Sequence, residues 1–334
     1  MKFRYVYVVA LLILILVSLQ IIPNVVGQDD EPSPTKTPDV DTTQEVEIDS
    51  SEEPDTLTFV EPLTQSDLTV LSGNVQRPNG FGWFGDNIYA VCNGDWTLYE
   101  IDDTSGSTRT YIYGVRNGHT LFIEGTGEVI NNLWIPDYDL NALLQVNPAR
   151  APVEIVNNLE GPWGIAYYDE EHFLITNLVG NSISKISRDG LVEEIVTELR
   201  SPTGIVYDED IVYFANNASA RRSVEWFSLD DETDDIVIQP LVSGLQNTTN
   251  LVQGPDDLLY FAYALGTRGV VGRVDPEVCI ENGGCSNDQV EIVLYTELAA
   301  PLAGLTISPD MRLFIHTIFR PEIYWVQLDN EQLE

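Results

Sequence analysis

The chain has 334 residues, with 16 basic against 53 acidic side chains and a formal charge of -37. A surface this acidic cannot neutralise phosphates, which excludes sequence-independent binding to nucleic acid. Hydrophobic residues at 43% and aromatics at 10% exclude wholesale disorder, and three cysteines are too few for a disulfide-built scaffold.

Lys2 and Arg4 precede an apolar run from Val6 to Val17, and Val25 and Gly27 stand at signal-peptidase spacing before Gln28. Residues 1–27 therefore read as a cleaved signal peptide. Because apolar residues continue through Ile21 and Ile22, a single uncleaved membrane anchor is the alternative. No cysteine follows the run, so a lipoprotein anchor is not expected. Either leader puts the bulk of the chain outside the cytoplasm, secreted or membrane-anchored. Residues 28–64 are dominated by Asp, Glu, Pro, Thr and Ser and read as a disordered acidic linker. The folded body is expected over 65–330.

That body opens on a lone alternating strand, Asp67 to Leu71, and then repeats itself. Pro78-Asn79-Gly80, Pro162-Trp163-Gly164 and Pro202-Thr203-Gly204 each begin an apolar strand. A second strand follows and ends in Asn, at Asn93, Asn177 and Asn217, with a third such as Ser182 to Ile186 behind it. Weaker copies begin at Arg116-Asn117-Gly118, Thr248-Thr249-Asn250 and Leu302-Ala303-Gly304. Six units of about forty residues, each with four short strands and Gly, Pro, Asn or Asp turns, are what a six-bladed β-propeller needs. Each sheet then buries both faces on its neighbours, which accounts for strands that are almost continuously apolar. The last unit lacks a fourth strand, and the spare strand at Asp67 to Leu71 is expected to supply it and close the ring. No sustained 3.6-residue period occurs, so no helix is expected. Cys279 and Cys285 lie in an insertion in the fifth unit and are expected to form a small disulfide ring bent at Gly283-Gly284. Cys92 is expected to be a buried free thiol.

The stretch from Pro162 to Ile186 resembles the NHL repeat. It is also similar to the senescence-marker-protein/gluconolactonase and virginiamycin B lyase propellers. The likeness runs over roughly 65 to 330 and is clear in three of the units. These families include both enzymes and binding modules, so the resemblance implies a fold more than an activity. The gluconolactonase group implies a divalent metal held by acidic and Asn side chains at the channel mouth. Asn79 matches one such position, with Asp137 as the nearest acidic candidate, and oxygen donors of that kind suit Ca²⁺ or Mg²⁺. No carboxylate occupies the other mouth positions, and Glu160-Gly161-Pro162 is three residues out of register with the Pro-x-Gly frame.

In a propeller the central residue of Pro-x-Gly and the end of the second strand open on one face. The candidate ligand-binding residues are therefore Asn79, Asn117, Trp163, Thr203, Thr249, Asp137, Tyr138, Asn177, Asn217 and His316. Trp163 departs from the small or polar residues at equivalent positions, and with Tyr138 and Trp96 it could form an aromatic platform. The Asn and Asp residues have a plainer use as turn formers. His119 and His316 come near the inner strands, whereas His172 sits on a hairpin. No Ser-His-Asp spacing or Gly-x-Ser-x-Gly motif accompanies them, and no catalytic residue is assigned. The sequence thus points to an extracytoplasmic propeller that binds a small molecule, glycan or protein, with a metal-dependent hydrolase or lyase as the alternative.

Overall fold

The computed structural model describes residues 61–218, 223–229, 236–317 and 319–328. The expected leader, most of the linker and the acidic run from Asp230 to Asp235 lie outside the described residues. The described residues fall in one compact unit, and their strands gather into six sheets that are antiparallel apart from two short parallel edge strands. The first strands of these blades, which line the channel, are Pro78–Phe84, Phe122–Thr126, Pro162–Tyr167, Pro202–Asp208, Gln246–Gln253 and Leu302–Ile307. We number the blades 1 to 6 in that order. Within blades 1 to 5 the four principal strands run outward in chain order, as in Pro162–Tyr167, His172–Asn177, Ser182–Ser187 and Val192–Val196 of blade 3.

The core is divided rather than central. Six apolar clusters occur, one at each junction between neighbouring blades. Between blades 2 and 3, for example, Trp134, Leu143, Phe173, Ile175 and Ile186 pack together. A fully buried side chain of this size contributes about 1.5–3 kcal/mol. A blade on its own would expose two such faces, so stability comes from the closed set.

The glycine of Pro-x-Gly has a steric cause. A Cβ on Gly164 would lie 2.3 Å from the Thr203 carbonyl oxygen, one on Gly204 2.4 Å from Leu251 N, and one on Gly80 2.3 Å from the His119 carbonyl carbon. At each of these points the inner strand of the next blade passes against the motif, leaving no room for a side chain. Hydrogen bonds bind the same junctions. Gly80 N donates to Gly118 O (3.0 Å), Thr120 Oγ1 to Trp163 O (2.8 Å), Thr203 Oγ1 to Thr248 O (3.0 Å) and Thr249 Oγ1 to Leu302 O (2.7 Å). Blade 6 meets blade 1 through Arg312, whose Nη2 donates to the buried Asp103 at 2.8 Å.

Closure follows the expected route. Thr69–Ser72 pairs antiparallel with Ile323–Gln327 and becomes the fourth strand of blade 6. Part of the segment assigned to the linker is structured: Leu63–Thr64 adds a parallel strand to the outer edge of blade 5. One expectation fails: a helix is present, α1 (Pro276–Glu281), in the blade 5 insertion. It is too short for a periodic signal. Local chemistry starts and stops it, since Asp275 caps Val278 N, Pro276 occupies its first turn, and Gly283 and Gly284 follow with positive φ. Cys279 and Cys285 are disulfide-bonded. The bonded segment lays Cys285–Ser286 parallel to the outer strand of blade 4, so the blade 5 insertion also grips its neighbour. Cys92 is a buried free thiol.

Candidate functional site

At the Pro-x-Gly end of the channel, blades 6, 1, 2 and 3 contribute an arc of polar and aromatic side chains. In five blades a bulge falls at the motif, as between Pro162 and Ile165, and shifts the central residue out of the regular ladder. Asn79 is buried, and its Nδ2 donates to Asn117 Oδ1 at 2.5 Å. Asn117 Nδ2 passes the chain on to Asp139 Oδ1 at 3.0 Å. Trp163 lies flat on His119, with ring centroids 3.4 Å apart and planes within 5°. Tyr138 meets both rings edge-on, at 5.9 Å from His119 and 6.1 Å from Trp163. His316 enters from the second strand of blade 6 and packs against Phe81 of blade 1 at 5.7 Å.

Burial controls the electrostatics here. His316 is completely inaccessible and His119 nearly so. Desolvation brings each imidazole down to a pKa of about 3, and the proximity of His316 lowers His119 further. Backbone at Thr317 and Asn79 opposes this slightly for His316, although no hydrogen bond of normal geometry reaches either ring nitrogen. Both histidines are therefore neutral at pH 7. Most of the buried side-chain nitrogen and oxygen atoms without a partner, among the described residues, lie at this end. They include Asn79 Oδ1, His119 Nδ1, Trp163 Nε1 and both ring nitrogens of His316.

Other candidate residues are occupied elsewhere. Asp137 is fully buried, and its Oδ2 accepts from Arg116 N (2.6 Å) while Oδ1 accepts from Leu140 N (3.1 Å). Burial raises its pKa against those hydrogen bonds. It is a backbone organiser rather than the ligand or metal residue expected from its charge. The hydroxyls of Thr203 and Thr249 tie blades together rather than facing the channel. Asn177 turns into its own blade, where Nδ2 donates to Ser184 Oγ at 2.9 Å. In blade 4 the residue paired with the motif proline is Asn216, not Asn217. Asn216 is buried and donates to Glu225 Oε2 at 2.5 Å, leaving Asn217 at the half-exposed turn. Trp96 is not part of the platform, since it lies exposed with Arg116 over its ring. His119, which the sequence left unassigned, takes its place.

The donor set does not suit Ca²⁺ or Mg²⁺. Such ions take six or more oxygens, usually with carboxylates among them. Both Asp137 oxygens are engaged by backbone N–H groups, Asp139 Oδ1 accepts from Asn117, and the remaining unpartnered atoms near Asn79 are mostly imidazole and indole nitrogens. No group of three or more His, Cys, Asp or Glu able to hold a metal occurs among the described residues.

No protein-family model and no curated protein sequence matches the chain. Several solved structures share its fold. A gluconolactonase from Xanthomonas campestris is similar with a TM-score of 0.63 and 12% identity, over 78% of this chain and 89% of that one. A calcium-binding protein, regucalcin, from Agrobacterium tumefaciens gives 0.60 and 14%, over 80% and 95%. A catalytically inactive histidine-to-alanine variant of virginiamycin B lyase from Staphylococcus aureus, solved with quinupristin, gives 0.50 and 18%, over 75% and 81%. At these identities the likeness establishes the six-bladed β-propeller fold.

Proposed function

We propose that the chain is an extracytoplasmic propeller that binds a polar, uncharged small molecule at the Pro-x-Gly end of its channel. The carrying observation is the convergence there of buried nitrogen and oxygen atoms without partners, on Asn79, His119, Trp163 and His316. Each unmade hydrogen bond costs about 1–3 kcal/mol, and a ligand with several donors and acceptors recovers that cost. Neutral imidazoles can donate through one nitrogen and accept through the other without placing a charge in the channel. The flat Trp163–His119 pair offers a face for a sugar ring or similar body. The leader-like first residues and the Cys279–Cys285 bond support a location in an oxidising compartment.

A second reading, a hydrolase or lyase, is favoured by His316 itself and by the inactive histidine variant among the similar folds. A neutral imidazole is the form that accepts a proton. A pKa of about 3 makes it a poor base at pH 7, however, unless bound substrate raises that value. The metal-dependent form of this reading finds no suitable donor set.

Ligand-observed NMR with glucono-lactone, quinupristin and a panel of mono- and disaccharides, with product analysis of the same samples, tests the proposal. Saturable binding without turnover, lost in Asn79→Ala, supports the binding reading. Turnover lost in His316→Ala would replace it with the enzyme reading, and no saturable binding of any probe would overturn both. Calorimetry with calcium should show no heat at millimolar concentration. Tight binding abolished by Asn79→Ala would restore the metal-dependent alternative.

A further inference from the structure

The channel has a second compartment. Beyond the neutral cluster it widens into a cavity of about 570 Å³ that opens where the first strands turn into the second, away from the Pro-x-Gly mouth. Asn79, Asn117, Trp163, Thr203, Thr249 and His316 do not line it. Its walls are largely apolar side chains, with Phe81, Leu121, Ile165, Ile205, Leu251 and Leu305 around the axis, interrupted by Thr120, Asn250 and Thr306. A volume of this size suits a drug-sized molecule. At its deep end stands His119, nine-tenths buried, with Nδ1 unpartnered.

The rim has the opposite character. Tyr167, Tyr168 and Tyr207 stand beside Asp208 and Glu209, and an adjoining hollow of about 430 Å³ shares Asp208 and adds Asp257 and Trp83. Asp208 accepts a hydrogen bond from Gln253 at 2.7 Å. Neither Asp208 nor Glu209 has an ion-pair partner among the described residues. Glu209 and Asp210 form the hairpin tip with φ of 44° and 69°. Non-glycine residues adopt that conformation at a cost, so the acidic tip is held there without glycine. The tyrosines already show what they attract, since Lys185 Nζ lies 4.6 Å from the Tyr168 ring centroid. These carboxylates also act on Tyr213 at the junction of blades 4 and 5: burial raises its phenol first, and Asp208 and Glu209, together with Glu277 and Asp275, push it further upward.

We propose that this compartment binds an organic cation with an apolar body. The body lies along the aliphatic channel, and the cationic head rests among Tyr167, Tyr207, Asp208 and Glu209. An anion of the same body would meet unneutralised carboxylates and be rejected. This proposal does not depend on the polar-ligand reading: His119 stands between the two compartments, and the residues that would hold the cationic head are not among those of the Pro-x-Gly mouth.

Octyltrimethylammonium, octyl glucoside and octyl sulfate, each below its micelle concentration, carry one apolar body with three heads. Titrated into the full-length chain and followed by calorimetry, the cation should bind about tenfold or more tighter than the sulfate, as expected for a cation on aromatic and carboxylate groups. The double variant Asp208→Asn, Glu209→Gln alters only the rim and should bring the cation within about twofold of the glucoside. Val252→Phe and, separately, Gly82→Leu should remove binding of the cation by filling the cavity. A Cβ at Gly82 lies 3.5 Å from Ile123 and 3.7 Å from Leu121, and a cooperative urea transition checks that each variant folds before it is titrated. The acidic leader-side segment is present in every variant and so cannot account for a loss. Equal binding of cation and sulfate by the wild-type chain, or cation binding retained by both folded filling variants, would overturn the proposal.

Discussion

Replacing His316 by Leu tests the idea that the channel holds imidazoles at a stability cost. The free histidine value is 6.5, and burial brings both His316 and His119 to about 3. Between those values the unfolded chain carries protons that the folded chain does not. Stability is therefore fully present above pH 6.5 and lost as the pH falls toward 3. At pH 5 each histidine accounts for about 2 kcal/mol of that loss relative to pH 7, or about 4 kcal/mol for the pair. The variant should lose only about 2 kcal/mol from this source, because one of the two groups is gone. Carboxylates titrate in both proteins, so the difference between them isolates His316. At pH 7 the variant should be the more stable by about 1–3 kcal/mol, since it removes two buried nitrogens without partners. Urea unfolding at pH 7.0, 6.0 and 5.0, read as midpoint and slope, measures both effects. Parallel pH profiles, or a variant less stable than wild type at pH 7, would show that His316 is satisfied and that the neutral-cluster argument is wrong.

Three further outcomes follow from the packing. Gly164→Ala drives a Cβ to 2.3 Å from Thr203 O and disturbs the Thr176 Oγ1–Thr203 O bond of 2.5 Å, so it should cost about 2–3 kcal/mol. Gly82→Ala, whose Cβ would sit in ordinary contact at 3.5 Å from Ile123 and 3.7 Å from Leu121, should change stability by no more than about 1 kcal/mol, and equal melting temperatures for the two variants would refute the close-approach reading. Arg312→Ala leaves Asp103 buried with only Trp83 Nε1 and Thr104 on its carboxylate and should lower stability by about 3 kcal/mol or more. A denaturation midpoint within error of wild type would remove that clamp from the account. Reducing Cys279–Cys285, which closes a short loop, should cost about 2 kcal/mol. Loss of hydrogen-exchange protection confined to 275–290 and the edge of blade 4 would mark it as local, whereas global unfolding would contradict that.

The repeat was readable because its cause is steric and recurs. A glycine is required wherever one inner strand crosses the next, so Gly80, Gly164 and Gly204 announce themselves at regular spacing. The ring closure was readable for a similar reason, since a three-stranded final unit and a spare strand before the first are complementary. The site was less so. Trp163 and His119 stack across a blade boundary, 44 positions apart by number, and nothing local marks the pairing. Thr203 and Thr249 sit at the expected positions but spend their hydroxyls on a neighbouring carbonyl, a choice set by side-chain rotation. Asn216 and Asn217 are adjacent and identical, so only strand register separates the buried one from the exposed one. The second compartment was hidden because its aliphatic walls have the same composition as a packed core.

The order of synthesis gives the amino-terminal clasp a consequence of its own. Thr69–Ser72 leaves the ribosome ahead of every blade, yet its partner Ile323–Gln327 is made last. Until that strand emerges, the growing chain holds an incomplete fan with two apolar flanks uncovered. The only strand that can finish the sixth sheet waits at the far end of the molecule. Emergence of Ile323–Gln327 is thus the event that permits the circle to shut.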